Sequence, residues 1–480
     1  MKSALAIFLS LLALGSAGCM VGPKYQRPAA AVPQQWPTPP AKKAFASNTV
    51  TQEWWKSFHN QELESLVARV IEDNLDLKAA VARVEEARAN RGVARSDLFP
   101  QVNAVASVSR ERQAVFGLPF GSFVYETNLY QGQVDMSWEA DVFGRVRNEV
   151  RGATADLAAH ESDRNNVLIT LLADVATNYA QLRGYQLRLA IAARNIGIQQ
   201  ETLDLTRALA KAGQATERDV AQAEAQLEST RATVPQLETG RDTAIHRLGV
   251  LVGSEPNALA EELSKTAPLP VVPAAVPVGL PSELLERRPD IRRSEAQLVA
   301  ATARVGEAKA DFFPKFSLTG SAGRESTQLH LLAVGLGNVF SAGPSVSLPI
   351  FTAGRIRANV RLQEARVREA EAAYRSTILT AFEETENALI AYANEQERGA
   401  HLERVTSADR TALELAQAQY RAGLADFLTV LDAERTLSEN EDLLAQSQTG
   451  VVTGLVSLYK ALGGGWPSAP ISVEVAGPGR

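Results

Sequence analysis

Cysteine is almost absent. The single residue of its kind among 480, Cys19, excludes a disulfide within the chain and any thiolate metal cluster. Histidine is nearly as sparse: His59, His160, His246, His330 and His401 stand far apart and form no paired-ligand motif, so metal chemistry has no foothold. Basic residues are scattered rather than massed and the formal net charge is -6, which argues against a nucleic-acid partner. No Ser/His/Asp arrangement, phosphate-cradling loop or paired-acid motif stands out, so an enzyme is the least supported class and no nucleotide site is expected. Proline, frequent elsewhere, is missing from two stretches of about 70 residues.

Those two stretches organise the chain. One runs from Phe143-Gly144-Arg145 to Ala212-Gly213, the other from Ala353-Gly354-Arg355 to Ala422-Gly423. Each predicts one helix about 100 Å long, too long to be stable unless it packs lengthwise on others. In the first, Leu168, Val175, Leu182, Leu189, Ile196 and Leu203 recur every seven residues, with Leu172 and Tyr179 between them, which is a coiled-coil seam. The second keeps the length but has Gly399 and Thr406 where the first has Leu189 and Ile196. After the turn at Gly213 a returning helix carries Val220, Ala223, Leu227 and Leu237 on one face, and Pro235 should kink it.

The chain is duplicated. Asp97-Leu98-Phe99-Pro100 returns as Asp311-Phe312-Phe313-Pro314, Lys211-Ala212-Gly213 as Arg421-Ala422-Gly423, and Leu248-Gly249 as Leu462-Gly463, at offsets of 210 or 214. Each Phe-Pro step opens a twofold alternation. Val134, Met136, Trp138, Ala140 and Val142 oppose Gln133, Asp135, Ser137, Glu139 and Asp141; in the second half Phe316, Leu318 and Gly320 precede Val346, Leu348 and Ile350. Three carboxylates on the polar face suit a water-filled lumen, and a loop with Phe116, Phe120, Phe123 and Tyr125 suits a membrane interface.

At the N-terminus, Met1-Lys2, the apolar run Ala4 to Leu14 and Ser16-Ala17-Gly18 form a secretory signal whose end resembles a bacterial lipobox, with Cys19 as the lipidated first residue of the mature chain. Met20, in place of Asp, implies outer-membrane sorting. The expected organisation is a signal peptide 1–18, a lipidated extended tether 19–52, a first repeat 53–265 (strands within 101–143, hairpin 144–254) and a linker 266–281. A second repeat 282–465 (strands within 315–351, hairpin 354–464) and a tail 466–480 follow. Asn60 is the expected cap of the first helix, Asn74-Leu75-Asp76 its interruption, and Asp290 the cap after the break at Arg287-Arg288-Pro289.

Four strands cannot close a barrel, and open strand edges are not tolerated in lipid. Two chains would give eight strands, whose interior side chains fill; three give twelve, wide enough for a lumen. The expected fold is therefore mainly α with a membrane β-barrel: a trimeric 12-stranded barrel continuous with a periplasmic α-helical coiled-coil barrel. The Cys19 lipobox, Trp54-Trp55-x-x-Phe58, Arg288-Pro289-Asp290, the paired Phe-Pro and Gly-Arg steps and the ending Leu462-Gly463-Gly464-Gly465-Trp466 resemble the TolC-like outer-membrane efflux lipoproteins, the NodT-type outer-membrane factors. The resemblance spans the chain after the signal. It implies a homotrimeric exit duct with no cofactor beyond covalent lipid, docked to a periplasmic adaptor protein and an inner-membrane pump of the RND type. It also implies a periplasmic gate after Gly423, with Leu428 forming an apolar ring, Asp432 a carboxylate ring and Arg435 its partner. The steps of four and three place these three on one helix face. The turns Lys211-Ala212-Gly213 and Arg421-Ala422-Gly423 are the expected adaptor contacts, and Gln133, Asp135, Ser137, Glu139 and Asp141 the barrel lumen. The outer-membrane component of type I protein secretion, or a periplasmic coiled-coil scaffold without a pore, are the alternatives.

Overall fold

The computed structural model describes residues 20–29, 32–36, 45–46, 52–118, 121–273, 276–333 and 337–466. The signal peptide, Cys19, Phe120 and the tail beyond Trp466 lie outside the described residues. Helix α1 (Gln61–Asp73) starts where the Asn60 side chain accepts the Leu63 amide. Asn74 then both ends α1 and caps α2 (Leu75–Ser96), accepting the Leu77 amide and donating to the Leu251 carbonyl at 2.8 Å. The proline after Phe99 removes a helical donor and the chain turns extended. Strands β1 (Gln101–Leu118) and β2 (Gly121–Ala140) form a hairpin, followed by α3 (Arg145–Lys211) and α4 (Glu217–Leu251). The second half repeats this with α5 (Pro289–Ala310), β3 (Lys315–Ser326), β4 (Asn338–Ser347), α6 (Arg355–Arg421) and α7 (Phe427–Ala461).

Both long helices are 67 residues and both returning helices 35. Gly144 and Gly354 open α3 and α6 at φ 80 and 82, a left-handed turn that only glycine adopts without strain. The hairpins keep the 210 offset to their ends, which corrects one pairing. The partner of Gly463 (φ 70) is Gly253 (φ 74), whereas Gly249 lies inside α4. Helix α4 also runs through Pro235 without ending.

The four strands form one antiparallel sheet in the order β1-β2-β3-β4. Strands β1 and β2 reach further than expected: Phe116, Phe123 and Tyr125 belong to the strands, not to a loop. Conversely, β2 stops at Ala140 and β4 at Ser347, so Asp141, Val142, Leu348 and Ile350 belong to the strand-to-helix connections.

The core is a waist at mid-length of the long helices. Leu172, Val175, Tyr179 and Leu182 of α3 meet Ile245 and Leu248 of α4, Tyr374 and Tyr392 of α6, and Leu455 and Tyr459 of α7. Trp54 enters this layer stacked on Tyr459, with ring centroids 5.2 Å apart. The seam residues of the heptad are buried here and again at Leu203 near the tip. Buried Arg183 is held by Glu62, by Gln186 at 2.6 Å and by the Lys265 carbonyl at 2.7 Å.

Three connecting segments differ from the sequence expectation. The N-terminal tether lies against the body: Val21 donates to the Phe143 carbonyl at 3.0 Å, Arg27 forks onto Glu295, and Phe45–Ala46 pairs in parallel with Val276–Pro277 of the linker. At the helix break the cap position is Arg288, not Asp290. The Arg288 guanidinium ties Asp290, Glu384 at 2.6 Å and the Ala461 carbonyl at 2.9 Å, clamping α5 to α6 and α7. Trp466, assigned to the tail, is buried and donates to the Arg287 carbonyl at 2.9 Å.

Candidate functional site at the hairpin tips

The two hairpins turn at one end of the molecule by the same device. Gly213 and Gly423 sit at φ 73 and 71, and the 6→1 and 5→2 bonds of a left-handed helix end follow: Gln214 to Leu209 and Gly213 to Ala210 in one, Leu424 to Gln419 and Gly423 to Tyr420 in the other. A side chain at either glycine would point into open space. The returning helices are capped by mirrored pairs. Thr216 and Asp219 form a capping box on α4, whereas on α7 the cap is Asp426, whose carboxylate takes the Thr429 amide and hydroxyl. These hydrogen bonds hold both carboxyls below the usual range, the Thr216 amide acting most on Asp219 and the Thr429 hydroxyl on Asp426.

Beyond the caps the tips diverge. On α7 Leu428, Asp432 and Arg435 are all exposed, and Arg435 donates to Asp432 at 2.8 Å. Just before it, Leu424 is 81% exposed. The matching positions of the first hairpin, Gln214 and Arg218, are polar. The apolar tip is thus confined to the second hairpin. Leu424 was missed in the sequence, although the repeat comparison of Leu424 with Gln214 carries the signal.

Behind the tip the hairpins are joined by apolar and polar contacts. Phe427 packs into Leu203, Ala223 and Leu227 of the first hairpin and against the ring of Tyr420 at 5.8 Å. Above it, a groove of about 410 Å³ between α3, α6 and α7 is lined by charged and polar groups, among them Arg194, Arg410, Gln417 and Glu441. Glu441 is 3% exposed and bridges Arg194 of α3 at 2.5 Å and Arg410 of α6 at 2.9 Å. Glu434 is about as buried but meets no cation among the described residues. It accepts from the Thr202 hydroxyl at 2.6 Å and from Gln417 at 3.5 Å, and burial pushes its carboxyl pKa up.

At the opposite end, the sheet sorts its faces. Paired residues of antiparallel strands share a face. Val102 with Met136, Ala104 with Val134, and Val108 with Tyr130 lie on one side; Asn103 with Asp135, and Gln101 with Ser137, on the other. Gln131, Gln133 and Asp135 are linked along the polar face by bonds of 2.6 and 2.8 Å. Glu139 and Asp141 are drawn to the junction with the helix. Glu139 binds Arg145 at 2.9 Å, and Asp141 takes the Arg147 amide at 2.8 Å.

The sequence profile described as outer membrane efflux protein matches residues 66–254 and 280–464, one segment in each half. The toluene efflux pump outer membrane protein TtgC of Pseudomonas putida is 35% identical over 471 residues, covering 97% of this chain and 96% of its own. Outer membrane protein OprJ of Pseudomonas aeruginosa is 35% identical over 467 residues, covering 97% of each chain. Among solved structures, the outer-membrane channel OprN superimposes with a TM-score of 0.87 at 38% identity, over 93% of this chain and 100% of that one. With a duplicated profile, full-length relatives and a shared architecture of sheet and long hairpins, the chain belongs to the outer membrane efflux protein family.

Proposed function

We propose that three copies of this chain form the exit duct of a tripartite efflux pump, conducting small molecules passively across the periplasm and outer membrane. The observation that carries this reading is one four-stranded sheet, apolar on one face and polar on the other, joined to two helical hairpins of about 100 Å. The duct itself performs no chemical step. An inner-membrane pump of the RND type, reached through a periplasmic adaptor, supplies the energy. The name of the relative TtgC points to small organic molecules such as toluene as cargo.

Within that reading Leu428 and Asp432 line the closed periplasmic mouth, and Arg435 neutralises Asp432 beside it. The 2.8 Å pair and the exposure of all three side chains in one chain support this assignment. Three Asp432 carboxylates around a threefold axis would repel one another if bare, and the Arg435 guanidinium beside each replaces that repulsion with an attraction that holds the tips together, so loss of either member of the pair loosens the mouth. Lys211-Ala212-Gly213 and Arg421-Ala422-Gly423 are the adaptor contacts, and Gln133, Asp135, Ser137 and Glu139 face the water path, whereas Asp141 is taken up by Arg147 at the junction with the helix. Cys19 carries the lipid anchor. Asp432→Ala should raise single-channel conductance in planar bilayers at least severalfold. Unchanged conductance would remove Asp432 from the gate.

A further inference from the structure

The strand register separates the charges of the sheet by sign. Among the described residues, the polar, lumen-side face holds Glu111, Asp135, Glu139 and Glu325; the one cation there, Lys315, opens its strand and is bound to Asp311 at 3.1 Å. On the apolar, lipid-side face the charges are Arg110, Arg112 and Arg324, with Glu126 as the one acid among the described residues. Glu126 is shared, lying 2.8 Å from Arg110 and 3.8 Å from Arg112. The side chains of these two arginines remain 73% and 71% exposed. Arg324 donates through one nitrogen to the Leu332 and Ala333 carbonyls. Each chain therefore carries a surplus of positive charge, three arginines against one glutamate, on a face that otherwise meets lipid.

Their height is specific. The apolar rows begin at Ala140, Phe316 and Val346 and end at Val108 and Tyr130; the next row outward pairs Arg110 with Asn128. About ten residues of strand at the usual barrel tilt rise about 25 Å along the membrane normal, the height of a barrel's apolar band. The helices leave from the opposite end of these strands, so Arg110 and Arg112 stand at the outer surface, level with the headgroups of the outer leaflet; Arg324, opposite Gly132, starts one row inside that limit, and its long stem carries the guanidinium to the Leu332 and Ala333 carbonyls of the β3–β4 connection. Arginines at that depth do not face the aqueous lumen. Their planar forks suit phosphate oxygens, and on a lipid-side face those oxygens belong to lipid.

We propose that Arg110, Arg112 and Arg324 form an outward-facing belt that binds the phosphate groups of an outer-leaflet glycolipid, with the paired arginines of the β1–β2 hairpin repeated in each protomer of the trimer. The proposal rests on the barrel reading above, because that reading makes this face the lipid side. The test titrates the detergent-purified trimer with bisphosphorylated lipid A, the same lipid with both phosphates removed, and inorganic phosphate, following binding by native mass spectrometry and trimer melting. The phosphorylated lipid should bind about a hundredfold more tightly than the dephosphorylated one and raise the melting temperature. Combined Arg110→Gln, Arg112→Gln and Arg324→Gln should abolish that preference, and the three Arg→Lys changes should retain most of it. Equal binding of the two lipids by the native protein, or an undiminished preference in the glutamine variant, overturns the proposal. An equal response to inorganic phosphate overturns a lipid as the ligand. If the glutamine variant does not assemble, the comparison of the two lipids on the native trimer still decides. A conducting trimer with no phosphate preference fails this proposal alone, whereas absence of a conducting trimer fails the duct reading.

Discussion

Glu434 sits between Thr202 of α3 and Gln417 of α6 with 4% exposure and no cation beside it among the described residues. Burial disfavours its charged form, so its folded pKa is raised above the ordinary 4.5. The folded chain therefore binds this proton more tightly than the unfolded chain, and the group's contribution is fully present below pH 4.5 and is lost as pH rises through the folded pKa. Glu434→Gln keeps the hydroxyl partner without the charge. It should raise the melting temperature of the trimer by a few degrees at about pH 7.5, with the difference vanishing near pH 4.5; a constant difference across that range would assign the effect to shape rather than charge. Glu441, 3% exposed, is satisfied by Arg194 and Arg410, and removing it would leave two arginines facing each other. The contrast also shows what was legible. Asp432 and Arg435 stand three residues apart on one helix, so their pairing is written in local spacing. The partners of Glu434 are 232 and 17 residues away, and only packing brings them to it.

At the scale of elements, the glycines at the turns and at the helix starts answer to different constraints. A side chain at Gly423 or Gly213 would meet nothing within 4 Å, so Gly423→Leu costs only the left-handed backbone, about 1–2 kcal/mol, far from the waist that holds the chain. The trimer should survive while transport in cells falls to background. Retained transport would release the tips from adaptor contact, and loss of the trimer would reduce Gly423 to a fold residue. Gly144 is different: a side chain there would approach the Met20 side chain to 2.6 Å, because the arm following Cys19 runs across the junction of β2 and α3. Helix bounds were legible from missing proline, from Asn caps and from Gly-Arg steps, all of which act within a turn. Strand lengths were less so. The β1–β2 pairing continues past the apolar alternation because ladder hydrogen bonds, not burial, carry Arg110 to Gln113 on into the hairpin.

The whole molecule is the trimer. One chain leaves β1 and β4 as sheet edges with unpaired backbone groups, and in the membrane each must pair with a neighbour's edge. Protein extracted in mild detergent from purified outer membranes should have, after correction for bound detergent, the mass of about three chains of 51.6 kDa less their signal peptides. A monomer or dimer would leave the sheet without closure and return the case to a scaffold. The sequence by itself determined the plan of this protein: a duplicated unit of two strands and a helical hairpin, the ends of the long helices, and a sheet with one wet and one dry face. These follow from periodicity, caps and repeats, which depend on neighbours a few residues away. Only the tertiary structure decided that the N-terminal arm lies along the body, that Trp466 closes the waist, that Arg288 clamps three helices, and that Arg110 and Arg112, beyond Tyr130, share the apolar face of the sheet. Those facts depend on contacts and register between segments tens to hundreds of residues apart, and no local pattern records them.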